Sequence, residues 1–356
     1  MSLQKAITIV SPKKAGLIVD RPVPALRDDY ILVKTVSVAL NPTDWKHIDF
    51  FSPEGCLVGC DYAGIVESVG KDVKKPFKKG DRICGMVHGG SSVEPEDGAF
   101  AEYILVKGDI QMLIPDNVSF QEAATLGVGI NTVGQSMYQS LELTLPTKPL
   151  SKEQSVPILI YGGSTATGTL AIQFAKLSGY QVLATCSSRN FDLVRKLGAD
   201  AVYDYNDPHA PEEIRKSTND KLGLVLDTIS DKASGAFCDN SLSSSGGDYV
   251  YLLTEPGIPR ENVRDRWTLA YTAIGEYFEL HVGGNEPLKF EAKPEDKEFA
   301  IMFWDITAQL LAEGKLKVHP TKINPGGLKG VLEGLSLMRE GKVSGEKLVY
   351  NVEETN

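Results

Sequence analysis

Residues Ser155 to Asn190 read S-V-P-I-L-I-Y-G-G-S-T-A-T-G-T-L-A-I-Q-F-A-K-L-S-G-Y-Q-V-L-A-T-C-S-S-R-N, and this stretch decides the fold. Ile158 to Tyr161 is a short apolar run of strand type. Gly162 to Gly168 is a tight turn of glycines and hydroxyls, after which Leu170, Ile172, Phe174, Ala175 and Leu177 recur at helical spacing. Gln181 to Cys186 reads as a second buried strand. A strand, turn, helix and strand in this order can bring a pyrophosphate against the positive N-terminus of the helix.

The turn departs from the strict G-x-G-x-x-G fingerprint. Gly163, Thr165 and Gly168 leave a hydroxyl where the middle glycine belongs, so a Gly/Ser turn of another α/β protein stays open beside dinucleotide binding. The end of the second strand sharpens the reading. An NAD site carries an Asp or Glu about twenty residues beyond the turn, on the adenosine ribose. Here Ser187, Ser188, Arg189 and Asn190 stand instead. Hydroxyls and a guanidinium suit a 2′-phosphate, which a carboxylate would repel, so NADPH is favoured over NADH. The competing reading makes Arg189 a solvated start to the next helix.

Working outward, 356 residues suit two domains. The 42% hydrophobic and 24% charged residues are those of an ordinary globular protein. A net charge of -10 argues against nucleic acid or an anionic membrane surface as partner. The first residues lack the apolar core of a secretory signal, and no run approaches a membrane span, so a cytoplasmic protein is expected. Cys56, Cys60, Cys84, Cys186 and Cys238 are odd in number and contain no C-x-x-C pair, so reduced, packed thiols are expected.

Residues 1 to 126 carry short β-branched segments, Lys5 to Ile9, Ile31 to Val38, Ala63 to Val69, Arg82 to Val87 and Ala101 to Val106, separated by turn residues. They predict a compact β barrel. Beyond it strands and helices alternate through Tyr249 to Leu253, which predicts a doubly wound parallel sheet. Lys297 to Gly314 and Gly326 to Gly341 read as helices, and Lys347 to Tyr350 as a closing strand.

Further motifs span the chain: N-P-T-D-W-K at 41 to 46, G-C-D-Y-A-G at 59 to 64, G-D-R-I-C-G at 80 to 85, G-A-F-A-E-Y at 98 to 103 and S-G-E-K-L-V at 344 to 349. With the turn, they resemble the medium-chain dehydrogenase/reductases, including quinone-reductase-like members. Within that family, Y-G-G-S-T-A-T at 161 to 167, A-T-C-S at 184 to 187 and N-F-D-L at 190 to 193 are similar to fungal enoyl reductases that act in trans on polyketide synthases, including the lovastatin-pathway type. Residues 41 to 50 are equally similar to fungal aldehyde or alcohol reductases. The resemblance implies an α/β fold: a Rossmann domain over 127 to 315 and a GroES-like β-rich catalytic domain over 1 to 126 and 316 to 356. It also implies an NADPH-dependent oxidoreductase acting on a small or carrier-bound acyl substrate, with a polyketide synthase as possible partner and a monomer or homodimer as assembly.

Residue by residue, the resemblance puts Thr43, Asp44, Trp45 and Lys46 against the nicotinamide half of the cofactor and Ser164, Thr165, Ala166 and Thr167 around the pyrophosphate. Ser187, Ser188, Arg189, Asn190 and Tyr205 fall at the adenosine end, Leu252 and Leu253 at the nicotinamide ribose, and Val343 and Ser344 over the cofactor. Gly127, Val128, Gly129, Ile130, Asn131, Thr132, Val133 and Gly134, with Thr272, Ala273, Ile274, Gly275 and Glu276, match segments lining the acyl pocket. Lys46 is the candidate catalytic group, as electrostatic clamp or proton source, against a reading as a surface lysine beside Trp45. Tyr62 is a second possible donor with a more ordinary reading as a packed core residue.

Zinc-dependent members of the family need a Cys near 41, a His in G-H-E and a lobe of four cysteines. Asn41, the run Gly59-Cys60-Asp61 and the solitary Cys84 of Arg82 to Tyr103 stand there instead, so no metal is expected. A site rebuilt from His47, Cys56, Cys60 and His88 matches no zinc spacing. Without a Lewis acid, a conjugated acceptor such as an enoyl thioester, enone or quinone is favoured, because its charge spreads into an enolate that a few donors can hold. An aldehyde or carbonyl reductase is the nearest enzymatic alternative, and a non-catalytic NADPH-binding sensor the alternative of another class.

Overall fold

The computed structural model describes residues 2–253, 257–282 and 286–356. The first part carries β1 (Leu3–Ser11), β2 (Lys14–Pro22), β3 (Tyr30–Ala39), α1 (Pro42–Lys46), β4 (Asp61–Val69), β5 (Arg82–Met86), β6 (Tyr103–Lys107), β7 (Gln111–Leu113), α2 (Phe120–Ala123) and α3 (Gly127–Val133). The middle carries β8 (Pro157–Tyr161), α4 (Ala166–Leu177), β9 (Gln181–Cys186), α5 (Phe191–Lys196), β10 (Ala201–Asp204), α6 (Ala210–Ser217), β11 (Leu224–Asp227), α7 (Lys232–Ser241), β12 (Gly247–Tyr251) and β13 (Val263–Trp267). The last part adds β14 (Phe278–Leu280), β15 (Leu288–Phe290), α8 (Pro294–Ala312), β16 (Thr321–Asn324), α9 (Gly327–Arg339) and β17 (Lys347–Asn351).

Two compact units result, Met1–Asn131 with Tyr271–Asn356, and Thr132–Ala270. In the second unit six strands line up as β10-β9-β8-β11-β12-β13, and every neighbouring pair is parallel. Counted from β8, the order is that of a doubly wound dinucleotide-binding sheet, reversing direction between β8 and β11. β8 and β11 are apolar because helices cover both their faces: Ile158, Leu159, Ile160, Val225 and Leu226 are all fully buried. β13 sits at the edge, and its sequence, V-R-D-R-W, carries charges where a central strand could not.

In the first unit the sheet runs β16-β17-β3-β4-β5-β7, with β6 on the long β3. The closing strand β17 pairs antiparallel with β3, so the chain's last segment completes the sheet that its first part begins. The predicted barrel is therefore a sheet with a hairpin, β1–β2, bridged to it at Ala6–Ala101 and Thr8–Leu57. Ile7, Ile31, Val33, Val66, Ile83 and Phe100 form one core, joined by Leu328, Val331 and Leu335 of α9.

The limits of the compact units differ from the expected 126/127 and 315/316. Helix α8 packs on β7 and on the Gly108–Ile110 turn. Its Trp304 donates to Asn131 Oδ1 at 2.8 Å and its Leu311 carbonyl accepts from Asn117 at 3.1 Å. Compactness thus keeps α8 with the β-rich unit. All five cysteines are free and buried. Among the described residues no helix is long and apolar enough to cross a membrane.

Candidate functional site

The turn after β8 is built from backbone and hydroxyls of one unit. Gly162 lies at φ +77°, a conformation L side chains rarely adopt. Its N–H donates to Thr185 Oγ1 at 3.1 Å, and that of Gly163 to the Thr185 carbonyl at 2.7 Å, so the turn is tied to β9. A Cβ on Gly168 would lie 2.2 Å from the Gly162 carbonyl oxygen, so only glycine lets α4 approach the strand end this closely.

Thr165 explains the departure from the glycine fingerprint. It is the N-cap of α4, and its hydroxyl accepts from the Gly168 N–H at 2.9 Å. Thr228 donates to the Tyr161 carbonyl at 2.8 Å, so the 3.0 Å contact between the two threonines is donated by Thr165. Ala166 and Thr167 open the helix, where backbone N–H groups have no partner one turn back. Ser164 through Thr167 are half-buried, and a helix N-terminus with donors left over is fitted to hold phosphate.

Ser187 to Asn190 follow β9 beside this turn. Asn190 donates to Ser164 Oγ at 3.2 Å and to Ser187 Oγ at 3.4 Å, so three of the residues singled out in the sequence meet here. Ser188 and Arg189 are exposed, and Arg189 forms no ion pair among the described residues. Tyr205 is 43% exposed with its ring 6.3 Å from Tyr161. The Leu252 N–H is held by Ser230 Oγ at 2.8 Å, and Leu253 is exposed. The clamp residues Thr185 and Thr228 escaped the sequence reading; a threonine closing each neighbouring strand was the available signal.

In the β-rich unit, Asn41 ends β3's extension and precedes α1. Its N–H donates to Asp44 Oδ2 at 2.6 Å. Asp44 is 1% exposed, and burial pushes its carboxyl up to about 7. Thr43 and Lys46 are half-buried; Lys46 Nζ stands 5.8 Å from the Trp45 ring, and burial lowers its pKa. Asn41 Oδ1 accepts from Lys347 Nζ at 2.8 Å, and the same ammonium meets Asp61 Oδ2 at 2.5 Å and the Thr125 carbonyl at 3.2 Å. Lys347 is 3% and Asp61 0% exposed, a buried ion pair whose remaining donors are satisfied.

Below α1, Thr43, His47, Cys60 and His88 gather around Tyr271 and Ser52, two residues the sequence reading missed. The Tyr271 hydroxyl is 2.5 Å from Thr43 Oγ1, 3.0 Å from His47 Nε2 and 3.8 Å from Cys60 Sγ. His47 Nδ1 is 2.9 Å from Ser52 Oγ, which donates to the Gly90 carbonyl. His88 stacks on Tyr271 with ring centroids 4.0 Å apart. The two histidines are buried, and burial lowers the pKa of both, His47 to about 4. Tyr62 is a packed core residue: its hydroxyl donates to Gln111 at 2.9 Å.

The segments matched to an acyl pocket are mostly interior. Gly127, Gly129, Ile130, Asn131, Thr132, Val133 and Gly134 are buried and Val128 is half-buried, with its N–H on Asp61 Oδ1 at 2.7 Å. Thr272, Ala273 and Ile274 are buried; Thr272 bonds Asp296. Gly275 and Glu276 are half-buried, and Glu276 accepts from Lys107 at 2.5 Å and from the Tyr30 hydroxyl at 2.6 Å. Val343 packs on the core of the β-rich unit, and Ser344 is exposed.

Comparison with known proteins matches two family models: an alcohol dehydrogenase GroES-like domain over residues 27–116 and a zinc-binding dehydrogenase over 166–252. The trans-enoyl reductase TOXD of Cochliobolus carbonum is 64% identical over 78% of this chain and 93% of its own length. The trans-enoyl reductase resD of Aspergillus sclerotiorum is 48% identical over 98% of this chain and its entire length. Among solved structures, the quinone oxidoreductase of Coxiella burnetii superposes with a TM-score of 0.73 at 24% identity over 99% of this chain and 100% of that one, a likeness of fold. Identity at this level along nearly the whole length, on a GroES-like unit joined to a parallel-sheet unit, shows that the chain belongs to the medium-chain dehydrogenase/reductases, oxidoreductases that use a nicotinamide cofactor.

Proposed function

We propose that this protein is an NADPH-dependent, zinc-independent reductase of an activated C=C bond, most simply an enoyl thioester carried by a polyketide synthase. The observation that carries the reading is the 48% identity to a trans-enoyl reductase across 98% of the chain. The bound cofactor supplies a hydride to the β-carbon. The chain's own residues bind and orient the reactants and hold the charge that develops on the thioester oxygen as an enolate.

For the cofactor, the half-buried Ser164 to Thr167 run at the α4 N-terminus offers donors to the pyrophosphate. The exposed Arg189, without an ion pair among the described residues, and the hydroxyls of Ser187 and Ser188 are suited to a 2′-phosphate. For zinc, the residues fit poorly. Asn41 stands at one ligand position with its carbonyl taken by the Lys347 ammonium, and a fixed cation there opposes a second one. Cys60, at another, lies against Tyr271, and burial among Asp44 and Asp61 keeps its thiol protonated.

Lys46 is the proposed polar group at the reacting end. Its half-buried amine, lowered in pKa by burial and without an ion-pair partner among the described residues, can clamp the enolate or return a proton to it. Lys46→Met is expected to lower kcat on an enoyl thioester about 100-fold or more with little change in NADPH affinity, measured by stopped-flow and fluorescence titration.

The decisive experiment offers the purified, chelator-treated protein NADPH or NADH with a crotonyl thioester, a simple quinone and an aromatic aldehyde. Oxidation of NADPH with the thioester or quinone, unchanged by chelator, is the expected result. Turnover of the aldehyde alone would replace conjugate reduction by carbonyl reduction. Chelator-sensitive turnover would overturn zinc independence, and absence of turnover with every electrophile would leave a nucleotide-binding sensor.

A further inference from the structure

The hydrogen bonds beneath α1 form one chain, from Thr43 through Tyr271, His47 and Ser52 to the Gly90 carbonyl, and its far end sets the direction of every link. A carbonyl only accepts, so the single Ser52 proton goes to Gly90. Toward His47, Ser52 is then an acceptor, and the 2.9 Å contact requires the proton on His47 Nδ1. A neutral imidazole carries one N–H, so Nε2 is bare. Burial keeps this ring neutral, with its pKa at about 4. The Tyr271 hydroxyl therefore donates to Nε2 at 3.0 Å, and its oxygen receives the Thr43 proton across 2.5 Å.

The geometry of Tyr271 holds this arrangement in place. Its ring is stacked on His88 at 4.0 Å and edge-on to Phe278 at 5.9 Å, and it is 5% exposed. Thr43 ends the chain, half-buried, with its only proton directed inward. It has nothing left to donate.

We propose that Thr43 is a fixed hydrogen-bond acceptor that receives an N–H of the nicotinamide carboxamide, and that Tyr271, His47 and Ser52 are positioning residues which deny it a role as proton donor to the substrate. The inference rests on the reading above that Thr43 to Lys46 face the nicotinamide. It leaves protonation of the enolate to Lys46 or solvent. Because the chain ends in a carbonyl, it holds no proton to send outward, so it orients the cofactor without taking part in proton transfer.

Two measurements test it. Nitrogen-15 NMR of histidine-labelled protein, with His47 assigned through His47→Gln, reads the tautomer without any ligand. A protonated Nδ1 and bare Nε2 are expected; a protonated Nε2 reverses the Tyr271 and Thr43 links and overturns the inference. The second measurement is affinity, by fluorescence titration, for NADPH and for the reduced 3-acetylpyridine analogue, which has a methyl ketone in place of the carboxamide and so no N–H. Thr43→Val is expected to weaken NADPH about three- to tenfold, the size of one net hydrogen bond, and to leave the analogue unchanged. Thr43→Ser restores NADPH binding.

Equal losses for the two cofactors, or none for either, overturn the inference, as does a Thr43→Val enzyme that keeps its affinity but loses kcat together with one limb of its pH profile. Wild-type protein that binds neither cofactor overturns the nicotinamide reading itself and the ligand assignment with it, whereas wild-type binding unaffected by Thr43→Val overturns the assignment alone. Thr43 is half-buried and its valine is isosteric, so the outcome does not depend on whether a Tyr271 variant folds.

Discussion

At the scale of single residues, two side chains have chemistry set by burial in opposite ways. Arg189 is exposed, without an ion pair among the described residues, one position from Asn190, which bonds the turn at Ser164. A guanidinium left open at such a place is suited to a charge the protein does not itself provide. Arg189→Ala is expected to raise the dissociation constant for NADPH about tenfold or more and to leave NADH within about twofold, because the lost contact is a charge-assisted bond. Titration with both cofactors checks this, and equal losses would return Arg189 to a solvated start of α5. Asp44 is the converse case. Its carboxyl is buried and raised to about 7, so the folded state holds a proton that the unfolded chain releases near 4. Stability from this proton is complete below the unfolded value and is lost as pH rises through about 7. Asp44→Asn keeps an oxygen for the Asn41 N–H and removes the titration. Relative to wild type, the variant is expected to gain stability between about pH 5 and about pH 8, read from urea midpoints at the two values. An unchanged difference would show that Asp44 titrates as an ordinary carboxylate.

At the scale of elements, the unit from β8 to β9 was legible because several local signals agree there. An apolar run too short for a helix, a glycine turn and a 3.6-residue repeat leave one arrangement, and the strand Gln181–Cys186 emerges with the predicted bounds. β13 was not legible, since V-R-D-R-W at a sheet edge has neither alternation nor an apolar face. The packing of α8 on β7 was not legible either, because helical periodicity shows that a face is buried but not against what. The glycines of the turn are where element and residue meet. Gly168→Ala places a methyl 2.2 Å from the Gly162 carbonyl, and backbone on backbone cannot yield as a flexible side chain would. A loss of about 1–3 kcal/mol in stability is expected, with weaker NADPH binding as α4 is pushed from the strand end. Chemical denaturation and cofactor titration on the same variant measure both; a variant that loses neither would show that the turn is less tightly packed than a 2.2 Å approach requires.

At the scale of the whole molecule, the contact that local sequence could not disclose is the buried pair of Lys347 and Asp61, 286 residues apart. S-G-E-K-L-V reads as a turn entering a strand, and nothing in it announces that the lysine is 3% exposed. The pair ties three elements of the β-rich unit: β17, which carries the ammonium, β4, which carries the carboxylate, and the entry to α1 through Asn41. Asp61 also holds the Val128 N–H with its other oxygen. Such a pair contributes little net stability, since desolvating two charges offsets most of their attraction, but removing one partner leaves the other buried and uncompensated. Lys347→Met is therefore expected to cost about 3–5 kcal/mol. Lys347→Met with Asp61→Asn removes both charges, keeps an acceptor for Val128 and is expected to lose less than the sum of the single variants. The coupling energy follows from urea denaturation of the four proteins. Additive losses would mean that the ammonium and carboxylate stabilise the sheet separately; a double variant close to wild type in stability, with reduced cofactor affinity, would show that the pair serves to place Asn41 and α1.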